Sequence, residues 1–253
     1  MMHVFPHPKK RMRRLSSLLF LLFCMSTAMA AIPADTHVPA NMPACTTAMP
    51  CPVAILSPGY GLSGSDYSFL TRRLTAMGYL VVALKDSAGG AKLDPNAPRS
   101  EQVRVLARAG AQFISAAIDE AAARYPQFDW QHLLLLGHSL GGDSLAQFAT
   151  DNALRVSSLI TLDHRRVALP RLTGMHILTI RASDTAADPG VLPSEEEQSR
   201  SGTCVVHING AHHNDMQDGG SVQLKSRIIS AIDTFLAPVA HPKYACERDS
   251  SLD

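Results

Sequence analysis

The chain has almost no net charge, +1 from 23 Lys and Arg against 22 Asp and Glu, and it has no basic tract. Without such a tract there is no electrostatic footprint for nucleic acid, which is excluded as an expected partner. Lys9, Lys10, Arg11, Arg13 and Arg14 crowd into the first fourteen residues, so the rest of the chain is mildly acidic. Internal repeats and a second-domain linker are also missing, which points to one domain. The apolar stretch Leu15–Met25 is short of the ~20 residues needed to span a bilayer.

Cysteine is scarce, five residues in all. None has the spacing of a metal-ligand set, and no metal or other cofactor is expected. A set drawn from His207, His212, His213 and Asp215 fits no familiar pattern either. The basic residues, the apolar stretch and the small-x-small signal Ala28-Met29-Ala30 make residues 1–30 a secretory signal peptide. Cys24 follows Phe23, a bulky residue where a bacterial lipobox carries Gly or Ala. Removing the peptide leaves about 223 residues, a comfortable size for one α/β domain. The expected location is secreted or periplasmic, without stable membrane insertion, and the expected state is a monomer. In that compartment Cys45, Cys51, Cys204 and Cys246 pair as disulfides. Four cysteines allow three pairings. Proximity favours Cys45–Cys51 and leaves Cys204 for Cys246, worth ~2.5 and ~4 kcal/mol on the chain-entropy model.

What is present centres on Leu133-Leu134-Leu135-Leu136-Gly137-His138-Ser139-Leu140-Gly141-Gly142. The leucines form an uninterrupted apolar run, as in a strand covered on both faces. G-x-S-x-G follows, and Leu140 onward reads as a helix whose N–H groups face the serine oxygen. A strand driven through a tight turn into a helix is a nucleophile elbow.

The rest of the chain supplies its setting. Residues 31–52 are rich in Pro and Thr without alternation and read as an extended arm. Strands are expected at 53–56, 79–84, 156–162, 176–181 and 203–208, and helices at 66–77, 101–125 and 222–236. Alternation of this kind implies right-handed crossovers and a parallel sheet whose carboxyl ends converge on one cleft. Residues 53–253 are expected to form the single domain.

Over about Val53 to Leu236 the chain resembles the α/β-hydrolase superfamily. The resemblance rests on the Ser139 elbow, the Ser57-Pro58-Gly59-Tyr60-Gly61 loop, Asp184, and Gly210-Ala211-His212-His213-Asn214-Asp215. It is similar in particular to dienelactone-hydrolase-like and platelet-activating-factor-acetylhydrolase-like esterases, then to secreted polyester hydrolases. The resemblance implies a three-layer α/β fold with a mainly parallel sheet; the superfamily's usual first two antiparallel strands have no counterpart in residues 31–52, so about six strands are expected. Only about a dozen residues, 163–175, lie where larger relatives insert a cap domain, so none is expected.

The chemistry implied is a Ser-His-Asp triad. Serine needs an adjacent base, and the resemblance places it at His213 ahead of His212. The acid holding the imidazole is expected at Asp184, with Asp188 and Asp163 as rivals. Each also reads as a turn aspartate. The resemblance assigns the oxyanion to the backbone N–H groups of Tyr60 and Leu140. His138 is expected to be a packed elbow residue. The expected reaction is hydrolysis of small or polymeric carboxylic esters. Amide, thioester or lactone cleavage, acyl transfer, and a catalytically silent binding module are the alternatives.

Overall fold

The computed structural model describes residues 1–3, 34–40 and 45–237. Of the chain's two compact units, Met1–Ala30 and Ala31–Asp253, the second carries every element described here. The signal-peptide reading of residues 1–30 falls almost wholly outside the described residues, as does Cys246.

Seven strands form one sheet: β1 Ala34–His37, β2 Val53–Ser57, β3 Leu80–Leu84, β4 Leu133–His138, β5 Val156–Leu162, β6 His176–Arg181 and β7 Cys204–His207. Five helices accompany them: α1 Ser68–Ala76, α2 Arg99–Arg124, α3 Leu140–Asp151, α4 Glu195–Ser201 and α5 Val222–Leu236. The strand order is β1-β3-β2-β4-β5-β6-β7, parallel throughout except for β1, which runs antiparallel to β3.

The apolar runs form strands because both faces are covered. Val53, Ile55, Leu133 and Leu135 pack on one side with Ile114 and Ile118 of α2 and Phe148 of α3. Ala54, Leu56, Leu134 and Leu136 pack on the other with Leu70 and Leu74 of α1 and Ile228 and Ile232 of α5. Successive residues thus feed two different cores, giving three layers of helix, sheet and helix. Full burial of each such leucine stabilises by roughly 2–3 kcal/mol before the entropy of ordering it is counted.

From β2 the chain moves outward to β3, then crosses back over β2 to β4 and continues through β5, β6 and β7. The direction reverses between β2 and β4, and the crevice beyond their carboxyl ends is where such sheets bind ligands. The 163–175 segment holds no helix or strand, so this α/β-hydrolase fold has no cap domain there.

The sheet has seven strands rather than about six, because part of the expected arm is β1. Ala34 pairs with Leu84 and His37 with Val81. Its residues are half-buried or exposed on a sheet edge, so the sequence shows no apolar alternation there. An ion pair between Lys85 and Asp35 at 3.0 Å fastens the edge. Helix α4 also lacks a buried residue and begins at a capping box of Ser194 and Glu197. Cys45 is bonded to Cys51 across 5.3 Å between Cα atoms. Cys204 is disulfide-bonded as well, and the expected partner, Cys246, is outside the described residues. Among the described residues no helix is long and apolar enough to cross a membrane.

Candidate active site

Ser139 sits between β4 and α3 with φ 52° and ψ −122°. A non-glycine residue held at positive φ costs about 1–3 kcal/mol, which the surroundings must over-determine. Its N–H donates to the Leu162 carbonyl at 2.9 Å, and its own carbonyl accepts the Asp143 N–H at 2.9 Å. Gly141 makes the turn possible. A Cβ there would collide with the carbonyl oxygens of Ser57 and Pro58. The elbow can therefore press against the end of β2 only without a side chain at that position.

The imidazole that meets the serine is that of His213, whose Nε2 lies 2.9 Å from Ser139 Oγ. His212 turns outward, its side chain two-thirds exposed at 67%. On the other side of the His213 ring, Nδ1 is 2.6 Å from Oδ2 of Asp163. A carboxylate only accepts, so Nδ1 carries the proton and Nε2 is free to accept the serine hydroxyl proton.

Asp163 takes the place expected for Asp184. It ends β5, is completely buried, and holds φ 47°. Its Oδ1 forms an ion pair with Arg181 at 2.7 Å and accepts the Ala182 N–H at 3.2 Å. Arg181 is itself buried, and burial lowers its pKa. Asp184 touches the same histidine at a different point: its two oxygens accept the His213 backbone N–H at 3.1 and 3.0 Å. Asp188 pairs with Arg166 and, at 3.6 Å, with Arg104. Strand order explains the placement. β5 is hydrogen-bonded directly to β4, whereas β6 lies one strand further out, and neighbouring strands are ~4.8 Å apart. The aspartate ending β5 therefore lands beside the elbow.

Two further residues are built into the site, one of them unmarked by any motif. Tyr67, wholly buried, has its hydroxyl 2.7 Å from Nδ1 of His138. His138 Nε2 lies 3.0 Å from the His213 carbonyl. That carbonyl can only accept, so Nε2 carries the hydrogen and Nδ1 accepts the Tyr67 O–H. The Tyr67 oxygen in turn accepts the Gly59 N–H at 3.0 Å. Burial, with the neighbouring His213 adding to it, pulls the His138 pKa down to about 3, and burial pushes that of Tyr67 up. Both are neutral at neutral pH.

Leu140 follows the serine and Tyr60 lines the same cleft, and among the described residues neither backbone N–H has an acceptor within the chain. The Tyr60 hydroxyl accepts the Leu93 N–H at 3.0 Å, which draws the 85–98 loop toward the elbow. Between them lies a cleft of about 220 Å³, lined by Tyr60, Leu62, Leu93, Val103, Leu140 and His213 among others. Leu93, Val103 and Leu140 pack together as apolar lining, and Arg99, Arg165 and Arg166 line the same cleft with positive charge. Among the described residues no group of three or more His, Cys, Asp or Glu is placed to hold a metal ion.

No protein-family model matches the chain, and no curated protein matches it. Solved structures do. A carboxylesterase from Mesorhizobium loti is 20% identical, with a TM-score of 0.56 over 81% of this chain and 96% of that one. A ferulic acid esterase from Streptomyces cinnamoneus is 21% identical, with a TM-score of 0.51 over 67% of this chain. The match spans 54% of the Streptomyces enzyme, so this chain corresponds to about half its length. At these identities the likeness is one of fold.

Proposed function

We propose that this protein is a secreted serine hydrolase of small carboxylic esters. The observation that carries the reading is the unbroken chain from Ser139 Oγ through the His213 ring to the buried Asp163 carboxylate. His213 takes the serine proton as Oγ attacks the ester carbonyl, and Asp163 stabilises the imidazolium that forms. The oxyanion settles on the N–H groups of Tyr60 and Leu140, two residues that line the cleft together with Ser139. His213 returns its proton to the leaving alcohol, giving an acyl-enzyme on Ser139. Water then attacks that ester with His213 again as base, releasing the acid and restoring the serine.

A cleft of about 220 Å³ is below the ~300–1,000 Å³ of sites for drug-sized ligands, which favours a short acyl group. The Cys45–Cys51 disulfide suits an oxidising compartment, and the N-terminal sequence suits export there. Covalent labelling by a serine-directed fluorophosphonate, together with a 4-nitrophenyl ester series of rising acyl length, tests the reading. Labelling at Ser139 and turnover that peaks at short chains are expected. No labelling and no turnover would leave a binding module on this fold.

A further inference from the structure

Both ends of the proposed machinery are held by one buried pair of side chains. The Gly59–Tyr60 peptide carries the Tyr60 N–H. It is fixed on one side by the Gly59 carbonyl, which accepts the Leu62 N–H at 3.0 Å. On the other side the Gly59 N–H donates to the Tyr67 hydroxyl at 3.0 Å. With both pinned, the Tyr60 N–H has one direction left to point. The His213 backbone is held in the same way: its N–H donates to Asp184 and its carbonyl accepts from His138 Nε2. The 2.7 Å contact between Tyr67 and His138 joins the two clamps.

We infer that Tyr67 and His138 are positioning residues that set the Tyr60 oxyanion donor and the His213 base in register with each other. The inference rests on the esterase reading given above. Chain separation makes such a link necessary. Tyr67 is 71 residues from His138, and His138 is 75 from His213, so no local turn could coordinate the three loops. The space is also reserved for the pair. A Cβ on Gly59 would come within 2.9 Å of His138 Nδ1 and 3.3 Å of the Tyr67 hydroxyl. A neutral His138 is required, because a protonated Nδ1 would lose its role as acceptor of the Tyr67 O–H; burial keeps the ring neutral. A buried, fully satisfied polar network of this kind specifies one geometry, since any slip leaves a donor without an acceptor.

The test is Tyr67→Phe, which keeps the ring and removes only the hydroxyl. For a short 4-nitrophenyl ester, kcat should fall ten- to a hundredfold with KM nearly unchanged, short of the ~10²–10³-fold cost of deleting an oxyanion donor outright. Affinity for a trifluoromethyl ketone, which forms a tetrahedral oxyanion adduct on the serine, should weaken in step with kcat/KM. His138→Gln retains a donor toward the His213 carbonyl, but its acceptor oxygen is displaced from the ring Nδ1 position that meets Tyr67. Its loss should match that of Tyr67→Phe, and the double variant should be little worse than either, the mark of one network. A thermal shift without a change in kcat would reduce the pair to a structural contact and overturn the inference. Strictly additive losses in kcat would overturn it too. If His138→Gln fails to fold, the kcat and inhibitor readouts of Tyr67→Phe decide alone. Wild-type protein inert toward esters and fluorophosphonates would instead remove the esterase reading, a result separable from all of these.

Discussion

His213 and Asp184 are joined through the backbone of the histidine, while the ring of that histidine answers to Asp163. One carboxylate orients the chain that bears the base, and the other faces its proton. The two aspartates should therefore respond very differently to loss of charge.

Asp163→Asn should lower kcat by roughly ten-thousand-fold, because an amide at that position favours the wrong imidazole tautomer. It should also destabilise the fold by about 3–5 kcal/mol, since the buried Arg181 loses its countercharge. Asp184→Asn keeps an acceptor for the His213 N–H and should cost less than about tenfold in kcat, as no proton moves at that atom. Steady-state kinetics and urea unfolding on the two variants check both claims. An inactive Asp184→Asn beside an active Asp163→Asn would reverse the roles.

Gly141→Ala is the smallest change that should break the elbow. The added methyl meets two backbone carbonyls that no rotamer change can move aside. Overpacking against backbone typically costs 1–3 kcal/mol, and relief here must come from shifting Ser139 itself. Fluorophosphonate labelling should slow by at least a hundredfold while the circular-dichroism spectrum stays close to that of the wild type. Undiminished labelling would show that the turn tolerates a side chain.

Much of this was legible in the sequence, and the gaps have physical causes. β5, β6 and α5 have the bounds their patterns predict, 156–162, 176–181 and 222–236, because the strands are apolar runs buried on both faces and α5 buries one face at helical spacing. β1 and α4 were invisible for the opposite reason: neither has a fully buried residue, so neither writes a pattern. The acid was ambiguous because Asp163 and Asp184 follow successive strands, and strand order, which separates them, is a property of the whole sheet. Tyr67 lies in an ordinary Gly-Ser-Asp-Tyr stretch. Its role comes from a contact 71 residues away, which no local motif encodes.

The Cys45–Cys51 disulfide closes a short loop just ahead of β2, away from the carboxyl ends of the strands. Its removal by Cys45→Ser with Cys51→Ser should cost ~2.5 kcal/mol, from the loop-closure entropy restored to the unfolded chain. Turnover at low temperature should stay within a factor of two. Thermal unfolding and kinetics on the double variant check both. A fall in kcat beyond tenfold in protein that remains folded would tie this loop to the site.

Asp143 makes stability depend on pH in an unusual direction. It lies in the first turn of α3, buried, and its Oδ1 accepts the N–H groups of Arg166 and Val167, both at 2.8 Å. Burial nonetheless outweighs those bonds and pushes its carboxyl from 3.8 up to about 6. The folded protein thus holds this proton more tightly than the unfolded chain does. The contribution to stability is complete below pH 3.8 and is lost as pH rises toward 6. Asp143→Asn presents the same oxygen to both N–H groups and cannot ionise. The difference in unfolding free energy, wild type minus variant, should therefore fall between pH 4 and pH 6 and then level off. Urea unfolding of both proteins at pH 4, 5, 6 and 7 measures it. A difference that climbs across that window would mean the ionised carboxylate is the favoured form, with the Arg166 loop stabilising it more than burial opposes it.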